Sequence, residues 1–177
     1  MQSSSKTFAY IQPASDSTDT DVPNHLPSDS TSDLGSRLEA LSQTNVAIIN
    51  AQDWSLETPE AQALVPCISP DFRTWMHNLS KPMTLSFQDA TDIISKIVEE
   101  NPSYHEEVLA VSSDVDEKKG KAIVTMHVRV YGHGEEGSVV EAVREARWKR
   151  EGGVEHGKWW LYEYVGVRGI SMDAGVI

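Results

Sequence analysis

The spacing of apolar positions changes once along the chain, from a helical period to a strand period, and the change falls near Tyr104. Before it, Leu34, Leu38, Leu41, Asn45, Ile48, Ile49 and Gln52 recur at i, i+3, i+4 intervals. That spacing predicts an amphipathic helix of about 18 residues. Thr58-Pro59-Glu60 then opens a short helix, with Thr58 as N-cap and Pro59 at the first helical position, where its missing N–H costs nothing. Ala61, Leu64 and Val65 form its apolar side and Pro66 limits it. Residues 71–77 alternate with aromatic content and predict a short strand. Ser86-Phe87-Gln88-Asp89 is a capping-box pattern that starts a third helix, with Phe87, Ala90, Ile93, Ile94, Ile97 and Val98 as its stripe and Asn101-Pro102 as its stop.

After Tyr104 the period is two, and four strands are predicted at roughly 104–115, 121–131, 138–150 and 158–168. Short glycine-containing turns separate them, so neighbours run antiparallel. Helices first and a meander afterwards make the fold class α+β. Pairing Val130 with Val140 and Trp148 with Trp160 collects Ala122, Val124, Met126, Val128, Val140, Ala142, Ala146 and Trp148 on one face. The same face takes Arg144, Trp160, Tyr162, Tyr164, Gly166 and Arg168, while Leu109, Val111 and Val115 join it from the first long strand. This apolar face should lie under the helices. The other face is mixed: Arg129 sits opposite Glu141, while Trp159, Leu161, Val165 and Val167 form a strip more apolar than water requires. A second copy covering that strip would make a homodimer through the outer sheet face.

Composition adds a tail and removes several partners. Residues 1–33 hold twelve Ser or Thr, five Asp and three Pro, too little apolar surface to offset ordering, so they are expected to be disordered. Residues 34–170 form the folded domain and 171–177 a C-terminal tail. A formal net charge of -12 repels a phosphate backbone and an anionic bilayer, so neither nucleic acid nor membrane is expected as a partner. No apolar stretch approaches the ~18 residues that span a bilayer. The start Met1-Gln2-Ser3-Ser4-Ser5-Lys6 lacks the apolar core of an export signal, so a cytoplasmic location is expected. Cys67 is the only cysteine, which precludes an internal disulfide and a multi-cysteine zinc site.

Three helices, a short strand and a long meander ending in a Trp-rich strand resemble the nuclear-transport-factor-2-like, or cystatin-like, superfamily. SnoaL-like polyketide-cyclase-type proteins of fungi are the nearest kind. The matching words are Ser69-Pro70-Asp71-Phe72-Arg73, Tyr104-His105-Glu106-Glu107-Val108, residues 115–122, and the stretch from Trp148-Lys149-Arg150 to Arg168-Gly169. The resemblance covers about residues 34–170. It implies a curved antiparallel sheet wrapped by three N-terminal helices, forming a cone with a pocket. It also implies acid–base chemistry without a cofactor: a carboxylate or His takes a proton beside a carbonyl while donors hold the oxyanion.

Arg144 is the most informative residue, a charge amid Val, Ala, Met and Trp, where an unpaired ion costs several kcal/mol. It recognises a carboxylate, phenolate or enolate, or it pairs with Asp53 or another acid from a helix, or it stacks on Trp148 or Tyr164. Tyr162 and Tyr164 are candidate oxyanion donors or core aromatics. Asn45 interrupts the stripe of the first helix and lines the pocket or bonds a helix end. Trp148, Trp160 and Met126 line the cone or fill it. For moving the proton, His77, His105 and Asp53 are the candidates, since Glu141, Glu145 and Glu163 point outward in this register. No His/Asp/Glu cluster has metal-ligand spacing. Two readings follow: an isomerase, dehydratase or cyclase of secondary metabolism acting on a polyketide-like or terpenoid-like molecule, or a non-catalytic dimeric ligand-binding or scaffold module.

Overall fold

The computed structural model describes residues 31–76, 83–132, 139–153 and 157–171. Helix α1 spans Thr31–Ala51, α2 Pro59–Leu64 and α3 Phe87–Glu100. The strands are β1 (Ile68–Met76), β2 (Met83–Leu85), β3 (His105–Asp116), β4 (Lys121–Tyr131), β5 (Val139–Glu151) and β6 (Lys158–Ser171). They form one six-stranded sheet in the order β2-β1-β6-β5-β4-β3. The meander β3–β6 is antiparallel as expected, but β1 pairs parallel to β6, so the sheet is mixed. The parallel pairing follows from chain path. β1 is separated from β6 by a helix and the whole meander, long enough to return in the same direction. The predicted tail overlaps the described chain at Thr31–Asp33, which already belong to α1. Residues 1–30 and 172–177 lie outside the described residues.

Local chemistry at the helix ends matches the sequence. Thr58 caps α2 by accepting from the Ala61 N–H, with Pro59 at its start. In α3 the Ser86 hydroxyl accepts from the Asp89 N–H while the Asp89 carboxylate accepts from the Ser86 N–H, a reciprocal capping box. Helix α1 ends with Gln52 in the left-handed region at φ +52. The Asp53 N–H then reaches back to the Ile48 carbonyl at 3.1 Å, which turns the chain toward α2.

The core lies between α1 and the inner face of the sheet. Leu38, Leu64, Val124, Met126, Val128 and Trp148 are fully buried there. The Trp148 indole N–H donates to the Ser42 hydroxyl, which donates in turn to the Leu38 carbonyl, so both polar groups are satisfied within the core. Close approach of α1 to β3 depends on Gly35, where a Cβ would come within 2.8 Å of the Ser113 hydroxyl.

Register shifts in β3 and in the first half of β6 change which residues face inward. On β4–β5 the expected register holds, with Val130 opposite Val140 and Arg129 opposite Glu141. On β6 the register shifts between Arg147 and Trp148. Arg147 pairs with Glu163 but Trp148 with Leu161, leaving Tyr162 extra. Trp159 and Leu161 therefore turn inward and are buried, while Trp160 and Tyr162 turn outward. This corrects the expected pairing of Trp148 with Trp160. The outward aromatics sit under lysines: the Lys158 ammonium is 3.7 Å from the Trp160 ring centre and that of Lys149 is 6.0 Å from Tyr162. On β3 the register shifts between Val108 and Ala110, so Val111 and Val115 face inward beyond the bulge, and Glu106 and Val108 before it.

Candidate functional site

A cavity of about 140 Å³ opens between the C-terminal half of α1, helix α3 and strands β1, β5 and β6. Ile48, Ile49, Phe72, Trp75, Phe87, Ile94 and Leu161 are among its apolar wall residues. Asn45, Thr74, Thr91, Arg144 and Tyr164 contribute the polar groups. Gly166 stands opposite Arg144 across the β5–β6 pair, so no side chain fills the space between them. Trp54, on the turn after α1, closes one side.

Behind the cavity wall lies a buried ion pair. The Arg144 guanidinium donates to both oxygens of Glu106, at 2.5 and 2.6 Å. The Glu106 side chain is 0% exposed and that of Arg144 13%. Tyr104 donates its hydroxyl to Glu106 Oε1 at 2.5 Å. The strand bearing Glu106 is itself pinned to α1, because the Asn50 amide donates to the Glu106 carbonyl at 2.7 Å and accepts from its N–H at 2.9 Å. Burial works against the charge of Arg144, but the carboxylate outweighs it and holds the guanidinium well above its ordinary pKa. Burial, and then the charge of Glu106, push the Tyr104 phenol upward as well, so it stays a neutral donor.

Tyr164 completes the polar side of the cavity. Its hydroxyl is buried, with Arg144 and Asn45 near enough to favour its charged form, but no described residue meets it in hydrogen-bond geometry. Burial raises its pKa, and the positive charge of Arg144 offsets this only in part. A neutral phenol with an unused proton, next to a guanidinium and facing an apolar void, is equipped to donate to an oxygen on a ligand. Among the described lining residues there is no His, Asp, Glu or Lys.

The sequence-predicted residues divide accordingly. Arg144, Tyr164 and Asn45 share the cavity. Trp148 and Met126 face the same side of the sheet but pack in the core beneath α1 rather than in the cavity wall. Trp160 and Tyr162 lie on the opposite face because of the β6 bulge. Asp53 points into its own turn. It accepts from the Thr58 N–H and hydroxyl, the Glu57 N–H and the Ser55 hydroxyl. Those bonds, led by the backbone of Thr58, lower its pKa to about 2. His105 stacks with Tyr131 on the outer face at 6.1 Å between ring centres. His77 lies outside the described residues. The partner of Arg144 is Glu106 on a strand, not Asp53 or another helix acid. One signal pointed to it: Glu106 and Glu107 are adjacent on a strand, so one of them must face inward in either register. No group of three His, Cys, Asp or Glu suited to a metal ion occurs among the described residues, and no helix there is long and apolar enough to cross a membrane.

Solved structures of the same fold exist in several bacteria. One is a hexachlorocyclohexane dehydrochlorinase, LinA-type3, from Novosphingobium barchaimii LL02. It has a TM-score of 0.58 and 14% identity over 80% of this chain and 92% of that one. A protein of unknown function from Pseudomonas putida KT2440, described as NTF2-like, gives 0.57 and 10% over 81% and 92%. A Caulobacter vibrioides protein with a cystatin-like fold gives 0.56 and 13% over 80% and 93%. No family model matches the chain, and no curated protein matches it. At such identities the likeness establishes the fold, cystatin-like and NTF2-like, and not the activity.

Proposed function

We propose that the cone binds a small, largely apolar molecule and polarises an oxygen on it, in the manner of a cofactor-independent isomerase, dehydratase or cyclase. The observation that carries this reading is the unpartnered Tyr164 hydroxyl beside Arg144 in an apolar cavity. Burial keeps the phenol neutral, so it can donate to a carbonyl and strengthen that bond as negative charge builds on the oxygen. His77 is the candidate for removing the proton, as neither His105 nor Asp53 reaches the cavity. The dehydrochlorinase among the solved structures supports an enzyme of this fold as the setting for such chemistry.

Proton exchange beside the carbonyl of cyclohexanone, followed in heavy water by NMR, tests this directly. Wild-type protein should accelerate exchange, and Tyr164→Phe should slow it by roughly 10²-fold, the usual effect of losing one oxyanion donor. His77→Ala should abolish it. Binding of the ketone without any exchange would instead establish the second reading, a non-catalytic ligand-binding module. That reading is favoured by the absence of a base among the described lining residues.

A further inference from the structure

We infer that Glu106 sets the charge preference of the cavity. By neutralising Arg144 it makes the site select neutral ligands with a hydrogen-bond acceptor and reject carboxylates of the same shape. This rests on the cavity being a ligand site, as proposed above.

A single arginine in an apolar cavity is a carboxylate receptor, because its planar fork matches two carboxylate oxygens. Here that fork is already used. Both terminal nitrogens of Arg144 donate to Glu106, and the carboxylate is wholly buried, so it cannot swing into solvent to release them. An entering carboxylate would therefore meet a guanidinium whose charge is spent, in a wall whose other polar groups, on Asn45, Thr74, Thr91 and Tyr164, are neutral. It would also lie in the field of the Glu106 carboxylate. What remains available is the Tyr164 hydroxyl, a neutral donor with no partner among the described residues. A neutral oxygen satisfies it without bringing an unpaired charge into the wall. Size narrows the class further. A void of about 150 Å³ accommodates a benzene-sized ring, and this cavity is about 140 Å³. The preferred ligand is a single ring bearing a neutral carbonyl or similar acceptor. Glu106 acts through Arg144 and does not line the cavity, so it is a specificity-setting residue and not a catalytic one.

Benzamide and benzoate are nearly isosteric and differ by one charge, which makes them suitable probes. Titration of the full chain followed by NMR should show benzamide bound at least tenfold more tightly than benzoate. Glu106→Gln should reverse that order, because it frees the Arg144 charge. Equal affinities in wild type, or an unchanged ratio in Glu106→Gln, would overturn the inference while leaving the cavity a binding site. Failure of wild type to bind either probe would overturn the binding reading itself and this inference with it. Should Glu106→Gln not fold, the double variant Glu106→Gln/Arg144→Met removes both charges and must keep the wild-type preference for benzamide. Benzoate binding as tightly as benzamide to that variant would also overturn the inference.

Discussion

At the scale of single residues, Asp53 shows how a carboxylate with the credentials of a base can be consumed by structure. Its two oxygens close the turn between α1 and α2 by accepting two backbone N–H groups and two hydroxyls. Those bonds favour the charged form and take its pKa from 3.8 to about 2. The sign of the consequence follows. The folded pKa is below the unfolded one, so the stabilisation is complete above pH 4 and is lost as pH falls from about 4 to about 2. Asp53→Asn keeps the shape but not the charge. It should lower Tm at pH 7, and the difference from wild type should shrink toward pH 2 in thermal melts. A difference that stays constant across that range would show that the charge of Asp53 does not hold the turn. The same residue at a true base position would have been pushed upward in pKa, not down.

At the scale of elements, the seating of α3 over the cavity depends on its first turn. Phe87, Ala90, Thr91 and Ile94 line the cavity from this helix, yet only Val98 on it is buried. With so little of its apolar stripe enclosed, α3 leans on its capping box. Ser86→Ala should cost about 1 kcal/mol, lowering Tm by about 2–4 °C for a chain of this size. It should also weaken binding of benzamide without changing its preference over benzoate. A melt unchanged within error would place the strength of α3 in its packing instead. Caps, helix stripes and the β4–β5 register were legible in the sequence because each depends on neighbours a few residues apart. The bulges were not. Nothing in the chemistry of Leu109 or Tyr162 marks either as the unpaired residue, and one inserted position inverts every side chain beyond it. Hence the inward placement of Arg144, Tyr164 and Asn45 followed from period alone, whereas Trp160 and Tyr162 face the other side and Glu106 was overlooked.

At the scale of the whole molecule, the inverted register of β6 also reshapes the outer face. Trp159 and Leu161, expected to form an apolar strip there, are buried in the core. What the outer face offers instead is Val143 at 45% exposed and Ile123 at 40%, with Val165 opposite Glu145 in the β5–β6 pairing. The charges beside Val143 are paired within the chain. Glu141 holds His127 and Arg129, while Arg147 bridges Glu145 and Glu163. A partner could therefore cover Val143 without stranding the charges beside it. We expect a second copy of the chain to do so through this face. Light scattering should then give twice the 19.6 kDa chain mass, and Val143→Glu, which places an unmatched charge at the centre of the contact, should return the monomer with its melting temperature lowered only by loss of the partner. Binding of benzamide should survive that substitution, because the described lining of the cavity does not include Val143. A wild-type monomer at high micromolar concentration would leave the outer face solvated, with its ion pairs serving solubility and the cavity working in each chain alone.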